Sequence, residues 1–259
     1  MNENGHPPFV FRQRLAARER LTGTFIKTPT GHAIEIFGNL KYDFVIIDEE
    51  HAPFDRGSVD LAVVAARAAS IAALVRVATA SAANLMSVLD CGATGVLVPH
   101  VASVEKAREV AAACRYRNGT RGFSNSPRAG NYGGMGMWDH VETCDTVATV
   151  VAQIEDPQAL DQVAEIARVD GIDALFIGRG DLTVAMGARS PEAPEIKAAS
   201  ERIAAAAQAA NKPVMVFTGS LADATAMRKL GASAFVVSSD QGLMRQAAAK
   251  ALAELNAME

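Results

Sequence analysis

Eight short apolar runs separated by Ala-rich stretches constrain this chain more than any other feature. They fall at residues 24–27, 44–48, 73–77, 95–99, 149–155, 174–178, 214–218 and 234–238. Most are continuously apolar rather than alternating, as expected for parallel strands covered on both faces. Strands alternating with helices argue for a parallel sheet, and eight of them argue for closure into a TIM (β/α)8 barrel. The length of 259 residues suits one such barrel, so residues 1–259 are read as a single barrel domain. A doubly wound open sheet would normally bring a glycine-rich dinucleotide turn after its first strand. Thr28-Pro29-Thr30-Gly31 is not one.

The repeating unit is clearest after the fifth run. Asp156 can cap a helix, Pro157 suits its first turn, and Leu160, Val163, Ala164 and Ala167 form one apolar stripe. Gly171 suits the stop, because only a residue without Cβ takes the left-handed conformation cheaply. Residues 89–98 and 229–237 echo each other as helix end, glycine turn and buried strand. An N-terminal helix over residues 9–20 is expected to plug the barrel bottom. The Ala-rich last helix, residues 241–258, suits packing against a partner subunit. Residues 117–139 break the rhythm with seven glycines or prolines. A loop this long is usually functional, and its place before the fifth strand suggests closure over the active face.

A hydrophobic content of 49% supports a substantial core, and a net charge of −4 gives no basic footprint for nucleic acid. No apolar stretch is long and unbroken enough to span a bilayer. The first eight residues lack the basic-then-apolar order of a signal peptide. Cys91, Cys114 and Cys144 show no metal-binding spacing, so they read as reduced thiols of a cytoplasmic protein.

Barrel enzymes work at the C-terminal ends of their strands. Those ends carry Lys27, Asp48 to His51, Arg76, Pro99-His100, Gln153 with Glu155, Gly180-Asp181, Thr218 and Ser238 to Asp240. Glu155 and Asp181 lie 26 residues apart, one helix plus one strand. Neighbouring strands sit ~5 Å apart, so both carboxylates could reach one hard cation. Mg²⁺ commonly uses one or two carboxylates, and Mn²⁺ or Co²⁺ can replace it. The plainer alternative has Glu155 starting one helix and Asp181 capping the next. His51 is a candidate general base or a surface histidine, with Asp48, Glu50 or Asp90 as possible orienting carboxylates. Arg76 either points a fixed charge into the rim or forms an ion pair with Asp48 or Glu50. Lys27 reads as a surface lysine rather than a Schiff-base amine. Thr218-Gly219-Ser220 and Ser238-Ser239-Asp240 read as helix caps rather than phosphate sites.

Taken together, Asp43-Phe44-Val45-Ile46-Ile47-Asp48-Glu49-Glu50-His51-Ala52-Pro53, Val75-Arg76, Gly95-Val96-Leu97-Val98-Pro99, Arg121-Gly122, Gln153-Ile154-Glu155 and Phe176-Ile177-Gly178-Arg179-Gly180-Asp181-Leu182-Thr183 resemble the motifs of the HpcH/HpaI aldolase family. The resemblance implies a class II, divalent-metal-dependent pyruvate aldolase on a TIM barrel. Such an enzyme reversibly cleaves a 4-hydroxy-2-oxo acid to pyruvate, or a close 2-oxo acid, and an aldehyde through a metal-stabilised enolate. By the motif match, Glu155 and Asp181 bind the metal, and His51 is the acid/base residue with Asp90 as its partner. Arg76 then steadies the enolate oxygen, while Gln153 and the amides of Gly180 and Asp181 contact pyruvate. Homohexamers built as dimers of trimers, with C-terminal helices exchanged between subunits, are also implied. This sequence departs from the family pattern at Glu49, Val77, Arg179-Gly180 and much of residues 122–132, which bears on the aldehyde partner. Two competing readings are a lyase of the citrate-lyase or malyl-CoA type and a non-catalytic 2-oxo-acid-binding protein.

Overall fold

The computed structural model describes residues 7–258. The eight strands are β1 (Leu21–Ile26), β2 (Phe44–Asp48), β3 (Ala72–Arg76), β4 (Gly95–Val98), β5 (Thr149–Ile154), β6 (Ala174–Ile177), β7 (Val214–Thr218) and β8 (Ala232–Ser239). All pair in parallel in chain order, and β8 returns beside β1 to close the barrel. The helices are α1 (Pro7–Ala16), α2 (Gly31–Asn39), α3 (Arg56–Ala68), α4 (Ala82–Asp90), α5 (Val104–Ala113), α6 (Met137–Val147), α7 (Ala159–Ala167), α8 (Arg179–Ala185), α9 (Pro194–Ala209), α10 (Leu221–Lys229) and α11 (Asp240–Asn256). This is the expected TIM barrel. The first strand starts three residues earlier than its apolar run suggests. Gly23 pairs with Phe44 on one side and Val236 on the other, so pairing on both edges overrides its weak strand preference.

Alternation along the strands divides the core in two. Phe25, Phe44, Ile46, Leu74, Leu97, Val151, Phe176, Met215 and Val236 fill the barrel, while the other faces pack under the helices. Phe11 and Leu15 of α1 join the interior set, and the Phe11 ring lies 5.4 Å from that of Phe44 at the start of β2. The N-terminal helix therefore closes the bottom of the barrel. Burying each such side chain contributes about 1.5–3 kcal/mol.

Ser220 and Ser239 accept hydrogen bonds from the first turns of α10 and α11, which confirms both as caps. Asp156 does not cap α7; its carboxylate turns to His100 instead, with both oxygens 3.2 Å from Nδ1. Residues 117–139 also differ from expectation. They lie along α4 rather than over the C-terminal rim. Arg121, whose side chain is only 1% exposed, bonds Asp90 at 2.8 Å, and Arg128 bonds Asp60 and the carbonyl of Cys91. Those ion pairs hold the segment at the far end of α4. The three cysteines are free, and burial pushes the Cys114 thiol up to about 12. Among the described residues no helix is long and apolar enough to cross a membrane. The first six residues of the chain, with most of the leader-peptide reading, lie outside the described residues.

Candidate active site

Strand alternation carries a polar layer directly above the apolar filling. Asp48 follows Ile46 on the inner face of β2, Arg76 follows Leu74 on β3, and Gln153 follows Val151 on β5. Glu155 continues the same face one residue beyond β5. All four are buried.

Asp48 and Arg76 form a two-pronged ion pair, Nε to Oδ1 at 2.9 Å and Nη2 to Oδ2 at 2.8 Å. Lys27 adds its Nζ to Asp48 at 3.0 Å, which makes it a paired structural cation. Burial opposes charge on Asp48, but Arg76 and then Lys27 outweigh it and hold the carboxyl below the usual carboxylate range. The guanidinium of Arg76 lies 4.7 Å from the centre of the Phe25 ring, and Nη1 has no protein partner among the described residues. The ion pair foreseen as an alternative role for Arg76 is therefore present, and it orients the group rather than removing it from the cavity.

Glu155 is almost as deeply buried as Asp48 but has no cation paired to it as closely. Its Oε1 accepts from the backbone N–H of His100 at 2.8 Å, and its Oε2 accepts from Gln153 Nε2. Burial, together with repulsion from Asp181, outweighs these bonds and the His100 charge and pushes the carboxyl up to about 7. Gly178 makes room for it, since a Cβ there would meet the Glu155 side chain. Asp181 stands exposed in the first turn of α8. Gln153 Oε1 is buried with no hydrogen-bond partner among the described residues. A buried carboxylate that resists ionisation, a second carboxylate facing it and an unpartnered amide oxygen together fit a divalent cation with a polar substrate beside it.

Two further residues gather here, Glu50, foreseen only as a partner of His51 or Arg76, and His100, foreseen only as a residue of the rim. Glu50 lies 3.4 Å from Arg76 Nε, 3.6 Å from His51 Nε2 and 3.7 Å from His100 Nε2. Glu50, His100 and Glu155 place ligand-type atoms within 4.8 Å of one another. Burial opposes charge on His100, but Glu155, Asp156 and Glu50 outweigh it and raise the imidazole above its usual range. The signal was the position of His100, directly after Pro99 at the end of β4. Glu49, in contrast, turns away to bond Ala78 N and Asn84.

His51 sits on the rim loop, half-exposed, with its backbone N–H donating to Asp48 Oδ1 at 3.2 Å. Asp90 is not brought to it within the chain. It ends α4, four residues before Thr94, whose N–H bonds Ala73 near the start of β3. That is the opposite end of the barrel, and its carboxylate is bonded to Arg121.

Arg76, Gln153, Gly180 and Asp181 line one cavity of about 540 Å³, together with Phe25, Phe176, Arg179, Glu192, Phe217, Ser220 and Asp223. None of residues 117–139 lines it.

The state of Glu155 has a measurable consequence. Its folded carboxyl binds protons up to about 7, whereas the unfolded chain releases them near 4.5. In that window the unfolded state holds fewer protons, so metal-free stability falls as pH rises. With chelator present, the midpoint of thermal unfolding is expected to decline between about pH 5 and about pH 8, and Glu155→Gln is expected to lack that part of the decline. Identical pH profiles for the two proteins would mean that Glu155 titrates normally.

The sequence profile of the family described as HpcH/HpaI aldolase/citrate lyase matches residues 21–247. A 5-keto-4-deoxy-D-glucarate aldolase of Enterobacter sp. (strain 638) is 33% identical over 245 residues, covering 94% of this chain and 95% of the relative. Among solved structures, an HpcH/HpaI aldolase/citrate lyase family protein of Burkholderia cenocepacia J2315 superposes with a TM-score of 0.91 at 29% identity, covering 96% of this chain and 99% of its own. The citrate synthase SbnG superposes at 0.86 with 26% identity, covering 95% and 97%. The barrel, its polar rim and this full-length similarity agree: the chain belongs to the HpcH/HpaI aldolase/citrate lyase family and is a carbon–carbon lyase.

Proposed function

We propose that this lyase reversibly cleaves a 4-hydroxy-2-oxo acid into pyruvate, or a close 2-oxo acid, and an aldehyde. The observation that carries the reading is the buried carboxylate of Glu155 beside Gln153, whose neighbours Arg76 and Asp181 line the same cavity. Glu155 and Asp181 would hold the divalent cation, Mg²⁺, Mn²⁺ or Co²⁺, with Glu50 and His100 next to Glu155. Such an ion supplies a Lewis acid to the 2-oxo acid.

The residues of the chain do the rest. Gln153 and the N–H groups of Gly180 and Asp181, which open α8 and lack intrahelical acceptors, orient the carboxylate of the 2-oxo acid. His51 takes the proton of the C4 hydroxyl, whose O–H pair becomes the aldehyde carbonyl. The C3–C4 pair passes to the 2-oxo fragment as an enolate, and Arg76 faces the oxygen where that charge develops. In the addition direction His51 returns the proton. Pyruvate release from a 4-hydroxy-2-oxo acid is expected to stop with chelator and to return with Mg²⁺ or Mn²⁺. Turnover that ignores the chelator would remove the metal from the reading.

Asp90 serves His51 in this reading only from another subunit, because one chain keeps the two at opposite barrel ends. The reading also includes a hexamer built as a dimer of trimers with exchanged C-terminal helices. It is supported by α11, which packs only Leu243 partly against the core of its own chain, has no fully buried residue and exposes Met244, Leu252 and Leu255. His51→Ala and Asp90→Ala are each expected to be slow in aldol cleavage while still binding Mn²⁺. Mixing the two after partial denaturation is expected to restore up to about a quarter of the activity, because hybrid oligomers re-form some intact sites. No gain on mixing would separate Asp90 from His51.

A further inference from the structure

Arg76, Gln153, Gly180 and Asp181 line the part of the cavity assigned to the 2-oxo acid, which leaves the part lined by Arg179, Glu192, Phe217, Gly219, Ser220 and Asp223 as a second end for the aldehyde. The second end contains two ready recognition elements for an anion, a guanidinium and the start of a nine-residue helix, α10.

Both are already engaged by one side chain. Asp223 receives Arg179 Nη1 on Oδ1 at 2.8 Å and Arg179 Nη2 on Oδ2 at 2.6 Å. The same Oδ2 accepts the backbone N–H of Gly219 at 3.1 Å, just before α10. Arg179 Nη2 also donates to the carbonyl of Phe217 at 2.7 Å, and the N–H of Asp223 is taken by the Ser220 cap. Burial opposes charge on Asp223, yet Arg179 and the Gly219 N–H outweigh it and keep the carboxyl below its usual range. Asp223 thus occupies the place where an anionic group of a substrate would otherwise be bound. Glu192 adds a second negative charge to this end, and Phe25, Phe176 and Phe217 supply apolar wall.

Resting on the aldolase reading, we infer that the aldehyde partner is uncharged, a short hydroxylated or apolar aldehyde, and that the Arg179–Asp223 pair enforces this choice. An aldehyde carrying a carboxylate or phosphate meets a guanidinium already paired and two carboxylates that repel it. A neutral aldehyde needs neither group and finds hydroxyl-accepting carboxylates beside aromatic surface. Specificity here comes from repulsion as much as from attraction.

The test is aldol addition of pyruvate to D-glyceraldehyde, succinic semialdehyde and D-glyceraldehyde 3-phosphate, with kcat/KM read for each. D-Glyceraldehyde is expected to lead both anionic aldehydes by at least about tenfold. Asp223→Asn is expected to shift the ratio toward succinic semialdehyde by about tenfold, because Arg179 is released to bind a carboxylate. The double variant Asp223→Asn with Arg179→Gln is expected to lose that shift, which shows that the guanidinium carries it. Faster wild-type addition to either anionic aldehyde, or an unchanged ratio in soluble, folded Asp223→Asn, overturns the inference and leaves the aldolase reading standing. Failure to add pyruvate to any aldehyde overturns both.

Discussion

Glu155→Gln is expected to abolish divalent-metal binding and to lower aldol cleavage by on the order of a thousandfold or more, while the barrel keeps its fold. The substitution removes one charge and almost nothing else. The new amide oxygen can still accept from the N–H of His100, as Oε1 of Glu155 does. Its amide nitrogen would face Gln153 Nε2, but Gln153 can rotate and present Oε1, which is buried without a partner. The variant also escapes the cost of ionising a buried carboxyl whose pKa stands at about 7, so its metal-free form is expected to be at least as stable as the parent above neutrality. Mn²⁺ titration by calorimetry, thermal unfolding and pyruvate release read the three effects separately. Activity within tenfold of the parent would exclude Glu155 as the principal ligand. His100→Ala is the companion measurement. If the cation is held by Glu155 and Asp181, Mn²⁺ binding survives the loss of this imidazole. If Glu50, His100 and Glu155 hold it, binding is lost there too.

The barrel was legible because parallel strands buried on both faces must be continuously apolar, and six of the eight strands begin within one residue of their runs. The two exceptions are physical. β1 gains Leu21, Thr22 and Gly23 through pairing with β8, and β8 gains Ala232 opposite Val214 of β7 with Ser233 at the register shift that follows, which local composition does not report. Glu155, Arg76, Gln153 and Asp181 were legible as polar residues ending apolar strands. Of their partnerships, only the ion pairs of Arg76 were. Glu50 was legible as a possible partner of His51 or Arg76 but not as a neighbour of His100, and only the turn of the chain sends Glu49 to Asn84 and Glu50 toward Arg76 and His100. Asp90 is the reverse case. Its motif suggested a partner of His51, but helices in this fold run back from the active rim, so the end of α4 lies at the far face of its own chain and only another subunit could bring the two together. The segment 117–139 was misplaced for a related reason: Arg121 and Arg128 find their carboxylates on α4 and α3, not on the rim.

Asp48→Asn is expected to destabilise the protein by about 3–5 kcal/mol, because it strips the charge from a fully buried carboxylate that serves two cations. Arg76 and Lys27 both converge on it, and without its charge they repel each other in a poorly solvated rim. Glu50, 3.4 Å from Arg76 Nε, is the remaining anion within reach. The guanidinium is therefore expected to swing toward Glu50 and away from the enolate oxygen, lowering kcat while Mn²⁺ affinity changes little. The sign of the pH dependence follows from the depressed carboxyl of Asp48. Its stabilisation is fully present above the ordinary carboxylate range and is lost only as pH falls through the lower folded value. The gap in unfolding free energy between parent and variant should accordingly stay constant from neutral to mildly acidic pH and close only in strong acid. Pairing the substitution with Arg76→Met separates structure from chemistry. Removing both charges of a buried pair costs less than removing one, so the double variant is expected to recover stability relative to Asp48→Asn. It is expected to recover no activity, since the group proposed to face the developing oxyanion is gone. If the double variant regained turnover together with stability, Arg76 would be a purely structural residue and the charge at the reacting oxygen would have to be met by another group of the rim.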